Sequence, residues 1–126
     1  MKHEELTKRI IACAMRVHNE PGRGFPEVIY QRAFEIELQI EELACIREKE
    51  MVVYYHNQKI GSRKADFYIE DTIVTELKAT SALDDGDLSQ SLNYLHAFKK
   101  EIGLLFNFGG KSPEFKRVPN NTGSYN

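Results

Sequence analysis

Apolar residues recur every three or four positions along the first third of the chain, which is the spacing of a helix with one buried face. In residues 4–18 the repeat consists of Leu6, Ile10, Cys13, Ala14 and Val17. A proline and two glycines within residues 19–24 interrupt it. A second helix is predicted from Pro26 to about Leu43, because proline suits the first helical position. Its apolar stripe is predicted to consist of Ile29, Ala33, Ile36 and Ile40.

From Glu50 onward the sequence takes on the β-branched and aromatic character of strands. Strands over 50–56, 60–69 and 72–78, joined by short polar turns, predict an antiparallel meander. A helix over 88–100, with a start signal at residues 84–87, precedes a strand over 103–108 and therefore predicts a crossover. The predicted fold is α/β, with a mixed four-stranded sheet flanked by helices. The polar end, residues 119–126, is expected to be frayed.

Composition and length place the chain among single globular domains. It has 126 residues, of which 41% are hydrophobic and 29% charged, so one domain over residues 1–126 is expected. The formal net charge of -2 counts mildly against a nucleic-acid binder, although acidic ligands of a bound cation would also lower it. Neither a secretion signal nor an apolar run of membrane-spanning length is present, so a cytoplasmic location is expected and no membrane partner. Cys13 and Cys45 are expected to be free thiols.

The second and third predicted strands carry the residues that suggest chemistry. Asp66 lies in the second strand, and Glu76, Leu77 and Lys78 lie in the third. Magnesium prefers oxygen ligands, so the two carboxylates and the backbone carbonyl of Leu77 form a candidate metal site. Lys78 follows Glu76 by two residues and shares its face of the strand, where an ammonium group can steady an attacking water or a phosphate charge. The competing interpretation is that these are solvated charges on a half-exposed hairpin.

The register of the two strands tests the metal-site hypothesis. A two-residue turn at Glu70-Asp71 would pair Ala65 with Glu76 and turn Asp66 to the other face, because a one-residue shift reverses every side chain. A three-residue connection that includes Thr72 would place Asp66 opposite Glu76. We therefore predict a three-residue loop or a bulge at this turn.

Two further stretches resemble a known protein family. Residues 24–30, Gly-Phe-Pro-Glu-Val-Ile-Tyr, resemble the signature of the GxxExxY family, which is assigned to the PD-(D/E)XK, or restriction-endonuclease-like, nuclease superfamily. The resemblance extends from about His18 to Val118 and includes Ala-Asp-Phe, Glu-Leu-Lys-Ala and the strand that ends at Asn107-Phe108-Gly109. Ala65-Asp66 stands where the superfamily has Pro-Asp. The resemblance implies a restriction-endonuclease-like core in which Asp66, Glu76 and Lys78 take the catalytic positions.

The same resemblance suggests helper residues on the helices. By analogy with helix-borne acids of related nucleases, Glu27 would assist catalysis and reach the metal, although its place in a first helical turn is also explained by the helix dipole. Tyr30, on the same face, would line the cleft, and His18 is a weaker candidate. Gln90 and Tyr94 resemble the Q-x-x-x-Y element of exonuclease-like branches and would contact substrate from neighbouring turns of one helix. Alternatively, Gln90 is simply exposed and Tyr94 is an aromatic residue at the edge of the core.

These observations predict a nuclease that uses Mg2+ or Mn2+ to hydrolyse phosphodiester bonds in DNA, with RNA as a second possible substrate. The alternative is a non-catalytic module that keeps the fold and binds nucleic acid or another protein. A homodimer would help so small a domain to hold a duplex.

Overall fold

The computed structural model describes residues 3–120. Two helices come first, followed by a three-stranded meander, a third helix and two further strands. In chain order these elements are α1 (Glu4–Asn19), α2 (Glu27–Ile40), β1 (Cys45–Tyr55), β2 (Gln58–Ile69), β3 (Ile73–Lys78), α3 (Asp85–Phe98), β4 (Ile102–Asn107) and β5 (Glu114–Pro119).

The strands form one mixed sheet in the order β1-β2-β3-β4-β5. The meander β1-β2-β3 is antiparallel, β3 and β4 are parallel, and β5 is antiparallel to β4. The parallel pair requires a crossover, which α3 supplies. Asp84 begins α3 with a reciprocal capping box, in which Asp84 and Asp87 each accept the backbone N–H of the other.

The core divides into two layers, one on each side of the sheet. The larger layer packs α1 and α2 against the sheet through residues that include Ile10, Phe34, Phe67, Leu77 and Phe106. The smaller layer packs α3 against the other face through residues that include Met51, Tyr68, Val74, Leu95 and Leu105. The predicted α/β fold, the meander and the crossover are therefore confirmed, and the fold is consistent with a restriction-endonuclease-like protein.

The sheet differs from the prediction at both of its edges. It has a fifth strand, β5, and β1 begins at Cys45 instead of Glu50. Both missed segments are rich in charged residues and lie at the edges of the sheet, and β5 ends in Pro119. Charged residues and proline are how proteins protect sheet edges, and they weaken the strand signal in the sequence. The end of the chain was predicted to be frayed from residue 119. Pro119 is instead the last residue of β5, and residues 121–126 lie outside the described residues.

The buried face of α2 also differs from the prediction. Tyr30, Phe34 and Leu38 are the fully buried residues, whereas Ile36 and Ile40 are 56% and 66% exposed. The helix carries two apolar stripes, and the one with the two aromatic rings fills more of the space above the sheet. Sequence periodicity alone does not rank two such stripes.

Several smaller predictions are confirmed. Cys13 and Cys45 are free thiols, and burial raises the pKa of Cys13 to about 11. Gly22 and Gly24 both have positive φ, so this turn needs residues without a Cβ. In the described part of the chain, no helix combines the length and hydropathy needed to cross a bilayer.

Candidate active site

The candidate site lies at the fork where β2 and β3 part. The two strands pair through Ile69↔Ile73, Tyr68↔Val74 and Phe67↔Thr75. The connection between Ile69 and Ile73 therefore has three residues, 70–72, as predicted. The next position along the ladder would place Asp66 opposite Glu76. There the Asp66 carboxylate takes the place of a strand partner and accepts a hydrogen bond of 2.8 Å from the backbone N–H of Leu77.

A local change of direction in β1 and β2 turns Asp66 toward β3. Phe67 belongs to the layer under α1 and α2, whereas Ala65, two residues earlier, belongs to the layer under α3. In β1, Arg47 stacks over Phe67 and Lys49 over Tyr68, so the neighbouring strand changes faces at the same level. Regular strands keep residues i and i+2 on one face. Both strands therefore twist sharply at this level, which leaves the side chain of Asp66 directed along the sheet.

Glu48 is the residue of β1 at this twist. It lies between the pairs Arg47↔Phe67 and Lys49↔Ala65, next to Asp66, and has a φ of 51°. A left-handed backbone is costly for a residue with a Cβ, and it is rare within a strand. This feature could not be predicted from the sequence, because a glutamate in a strand carries no signal for positive φ.

Glu76 projects from β3 beside Asp66 in a setting that disfavours its charge. One carboxylate oxygen, Oε1, is buried and has no hydrogen-bond partner among the described residues. Burial is the largest cause that raises the pKa of Glu76, and the neighbouring charge of Asp66 adds to it. The two carboxyl groups are close enough to share a hydrogen bond when one is protonated. The positive charge of Lys78 acts in the opposite direction, so Lys78 is also part of the site.

Leu77 packs into the core, as the alternation of β3 predicted, and is fully buried. Its N–H points toward Asp66. In a strand, the N–H and C=O of one residue are directed to the same neighbouring strand. The Leu77 carbonyl is therefore also directed into the fork.

Glu27 approaches the same fork from the first turn of α2. Burial raises its pKa, the charge of Asp66 raises it further, and the charge of Lys78 lowers it. Among residues 3–120, however, no three side chains of His, Cys, Asp or Glu are grouped closely enough to hold one metal ion. Glu27 thus lies near Asp66 and Lys78 but does not form a three-carboxylate cluster in this geometry, and its contact with the metal stays a prediction.

The donor set that remains fits a divalent cation of the magnesium type. Two carboxylates and a backbone carbonyl are oxygen ligands, and magnesium commonly binds one or two carboxylates and completes its coordination with water and phosphate oxygens. The unpartnered Oε1 of Glu76 and the raised pKa of its carboxyl group indicate a carboxylate pair whose charge Lys78 compensates only in part. A bound cation would supply that charge.

Helix α3 contributes Tyr94 to the site. A cavity of about 10 Å³ is lined by Glu76, Ser91 and Tyr94, together with apolar residues of β3, α3 and β4. That volume is at the lower limit for one water molecule. Gln90, the partner of Tyr94 in the resemblance, is exposed on α3. The structure therefore brings Tyr94, but not Gln90, to the wall of the Glu76 cavity.

Tyr30 is a core residue and not part of an open cleft. It is fully buried and stacks on Phe108 at 5.2 Å. Its hydroxyl donates to the carbonyl of Gly22 at 2.7 Å and accepts from the N–H of Phe25 at 3.2 Å. The predicted contact with substrate is wrong for a side chain with no exposed surface. Tyr30 instead holds the turn that places Glu27.

His18 is also buried, and its Nε2 lies 3.2 Å from the carbonyl of Gly110. That contact ties the end of α1 to the turn after β4. His18 therefore has a structural hydrogen-bonding role in this fold.

Asn107 and Glu114 support the segment that follows Lys78, and the sequence analysis assigned them no role. The Asn107 side-chain oxygen accepts from the N–H groups of Thr80 and Gly109 at 2.9 and 3.1 Å. Its amide nitrogen donates to Glu114, which also accepts from the N–H of Leu83 at 3.0 Å. These bonds lower the pKa of Glu114. The sequence points to Asn107-Phe108-Gly109 only as part of the family resemblance. The contact of Asn107 with Thr80 joins residues that are far apart in the chain, so only the fold reveals it.

A mixed sheet that brings an Asp and a Glu-x-Lys together at the fork of neighbouring strands defines a restriction-endonuclease-like protein. The model of one protein family, the PD-(D/E)XK nuclease superfamily, matches residues 4–118. The chain belongs to this superfamily. A search among curated proteins and a search among solved structures gave no match.

Proposed function

We propose that this protein is a metal-dependent nuclease that hydrolyses phosphodiester bonds at the fork between β2 and β3. The observation that carries the proposal is the buried, unpartnered Oε1 of Glu76 beside the carboxylate of Asp66. Membership of a nuclease superfamily supports the same class of activity. Asp66, Glu76 and the Leu77 carbonyl would hold Mg2+ or Mn2+.

A divalent cation at such a site lowers the pKa of bound water and neutralises charge on the phosphate. The protein's own part is to fix the ligands and to add a positive charge. Asp66 is anchored through one oxygen by the N–H of Leu77, which holds its carboxylate beside that of Glu76. Lys78 follows Glu76 on the same strand and forms no ion pair within the described part of the chain, so its ammonium group is available to a phosphate or a water.

Glu27 acts as a helper in this proposal. Its pKa is raised by burial and by Asp66. A carboxyl group that holds a proton more strongly than usual is suited to exchange one with the substrate or with water. The position of Glu27 beside Lys78 and Asp66 supports such a role without direct metal binding.

The substrate that we propose is DNA, with RNA as the alternative to be tested. Assignment to the GxxExxY family, a cytoplasmic location and a homodimer are also proposals, and they rest on the sequence. Tyr94 is proposed to contact substrate because it lines the Glu76 cavity.

The test is cleavage of labelled single-stranded and double-stranded DNA and RNA with Mg2+ or Mn2+. We expect Glu76→Gln and Lys78→Ala each to lower the rate by about a hundredfold or more, since charge stabilisation in the transition state is lost. Glu27→Gln is expected to lower it less, by roughly tenfold to a hundredfold.

Matched controls come from the far end of the β1–β2 hairpin. Glu50 and Lys59 form an exposed ion pair of 3.9 Å there, so Glu50→Gln and Lys59→Ala make the same changes of charge away from the fork. Both control variants should cleave like the wild type. Cleavage that survives both Glu76→Gln and Lys78→Ala would exclude this site, and nucleic-acid binding without cleavage would indicate the non-catalytic module.

A further inference from the structure

The β1–β2 hairpin extends beyond β3 and lies across α3. Its pairing continues to Tyr55↔Gln58, whereas β2 pairs with β3 only from Phe67 to Ile69. The outer half of the hairpin is therefore a two-stranded ribbon, and Met51 and Val53 on its inner side belong to the layer formed with α3. A ribbon held by a helix along one side leaves a groove where the two meet.

This groove has a volume of about 300 Å³ and a mixed lining. Val53, Ile60 and Ala97 provide apolar surface, and Ile60 is 65% exposed. Asn93 and Tyr94 of α3 add polar groups. Tyr94 lines both this groove and the cavity of Glu76, so the groove leads to the proposed active site.

The charge of the groove favours an anion. Arg63 is its charged residue, and no Asp or Glu is among the lining residues that the structure describes. The Arg63 guanidinium donates to the carbonyl of Ser62 at 2.8 Å and forms no ion pair within residues 3–120. Its remaining donors are therefore available to a phosphate.

We propose that this groove binds single-stranded nucleic acid next to the phosphodiester that is cleaved. Unpaired bases would pack on Ile60 and Tyr94, and Arg63 would bind a backbone phosphate. The choice of a single strand follows from the lining. Duplex affinity depends on many phosphate contacts, whereas the groove offers one cation in a chain of net charge -2. Single strands gain affinity by placing base faces on apolar and aromatic side chains.

The proposal rests on the proposed function only where it places the bound strand next to the cleaved phosphodiester. Its test therefore measures binding without cleavage. Fluorescence anisotropy with a labelled oligothymidylate, its duplex and an oligouridylate, all in EDTA, gives the affinities. The wild type is expected to bind the single strands more tightly than the duplex. Arg63→Ala should weaken single-strand binding by about fivefold and reduce the salt slope by about 0.7. Ala97→Glu, which puts a carboxylate into the groove, should weaken it by about tenfold.

Controls on the opposite face of the sheet carry the same changes of charge. Lys8 and Ala12 are exposed on α1, so Lys8→Ala and Ala12→Glu should leave binding within about twofold of the wild type. All four sites are on the surface, and thermal melting confirms that each variant is folded. Equal affinities for wild type, Arg63→Ala and Ala97→Glu would overturn the proposal, as would a preference for duplex.

Failure of this proposal and failure of the proposed function are separable. If Arg63→Ala and Ala97→Glu lose binding but no substrate is cleaved with any metal, the binding groove is supported and the proposed nuclease activity is rejected. If the wild type cleaves and both groove variants cleave single strands at the same rate, the nuclease activity stands and the groove is wrong.

Discussion

At the scale of single residues, the site depends on a few side chains and main-chain groups whose environments are unusual. Glu76 has a buried oxygen without a partner, Asp66 is anchored by a backbone N–H, and Glu48 has a left-handed backbone next to Asp66. Strained backbone and unpaired polar atoms both cost stability, and this fork contains an example of each. Among the described residues with positive φ, Glu48 is the one that lies within a strand, and the others lie in turns.

The strain at Glu48 gives a prediction about stability. Glu48→Gly removes the Cβ that makes a φ of 51° costly, and it is expected to stabilise the protein by about 1 kcal/mol in urea unfolding. Glu50→Gly, at an exposed position of the same strand without positive φ, is the matched control and should destabilise by about 0.5–1 kcal/mol. If both glycine variants lose the same stability, Glu48 is not strained.

At the scale of elements, the active-site strand is positioned by what packs around its end. The N–H of Phe108 donates to the carbonyl of Lys78 at 2.9 Å, and Asn107 binds the backbone of Thr80. The turn after β4 thus lies directly against the segment that leaves β3. Gly109 makes that approach possible, since a Cβ there would lie 2.2 Å from the carbonyl oxygen of Thr80.

Replacement of Gly109 by alanine should therefore disturb the end of β3. We expect Gly109→Ala to destabilise the protein by about 1–3 kcal/mol, because backbone atoms must move to make room. Gly61→Ala places the same methyl group in open space within β2 and should have little effect. Urea unfolding of the two variants measures the difference, and equal stabilities would show that the turn adjusts freely.

At the scale of the whole molecule, protons and metal ions are linked to folding through Glu76. The folded state raises the pKa of this carboxyl group, so it binds a proton more strongly than the unfolded chain does. Stability is then highest below the ordinary pKa of glutamate and falls as pH rises toward the raised value. A cation that binds only the folded protein raises the free energy of unfolding and so offsets this loss of stability.

The linkage predicts how one isosteric variant behaves. Without metal, the wild type should lose stability between about pH 5 and about pH 9, relative to Glu76→Gln, which has no charge to bury. Mg2+ at about a hundred times its dissociation constant should then stabilise the wild type by about 2.7 kcal/mol and leave Glu76→Gln unchanged. Urea unfolding with EDTA or Mg2+ at each pH measures both effects. Parallel pH curves for the two proteins would show that Glu76 is not buried with Asp66.

Much of this architecture could be predicted because it depends on local pattern. The periodicity of α1, the alternation in the strands and the turn at Glu70-Asp71 specify a meander followed by a crossover. The register argument placed Asp66 opposite Glu76, and the observed three-residue connection agrees with it. Edge strand β5 and the buried face of α2 were missed or mistaken, because edge protection and competing apolar stripes are resolved only by packing.

The order of the elements from α1 to β4, the register that brings Asp66 level with Glu76 and the shared face of Glu76 and Lys78 follow from the sequence alone, because each depends on a short-range repeat. Tertiary structure decided the burial, direction and neighbours of those side chains. Burial removed water from Glu76, the change of direction beside Glu48 turned Asp66 along the sheet, and α2 brought Glu27 near but not into a metal cluster. Such effects depend on distances between residues far apart in the chain, and no local pattern encodes them.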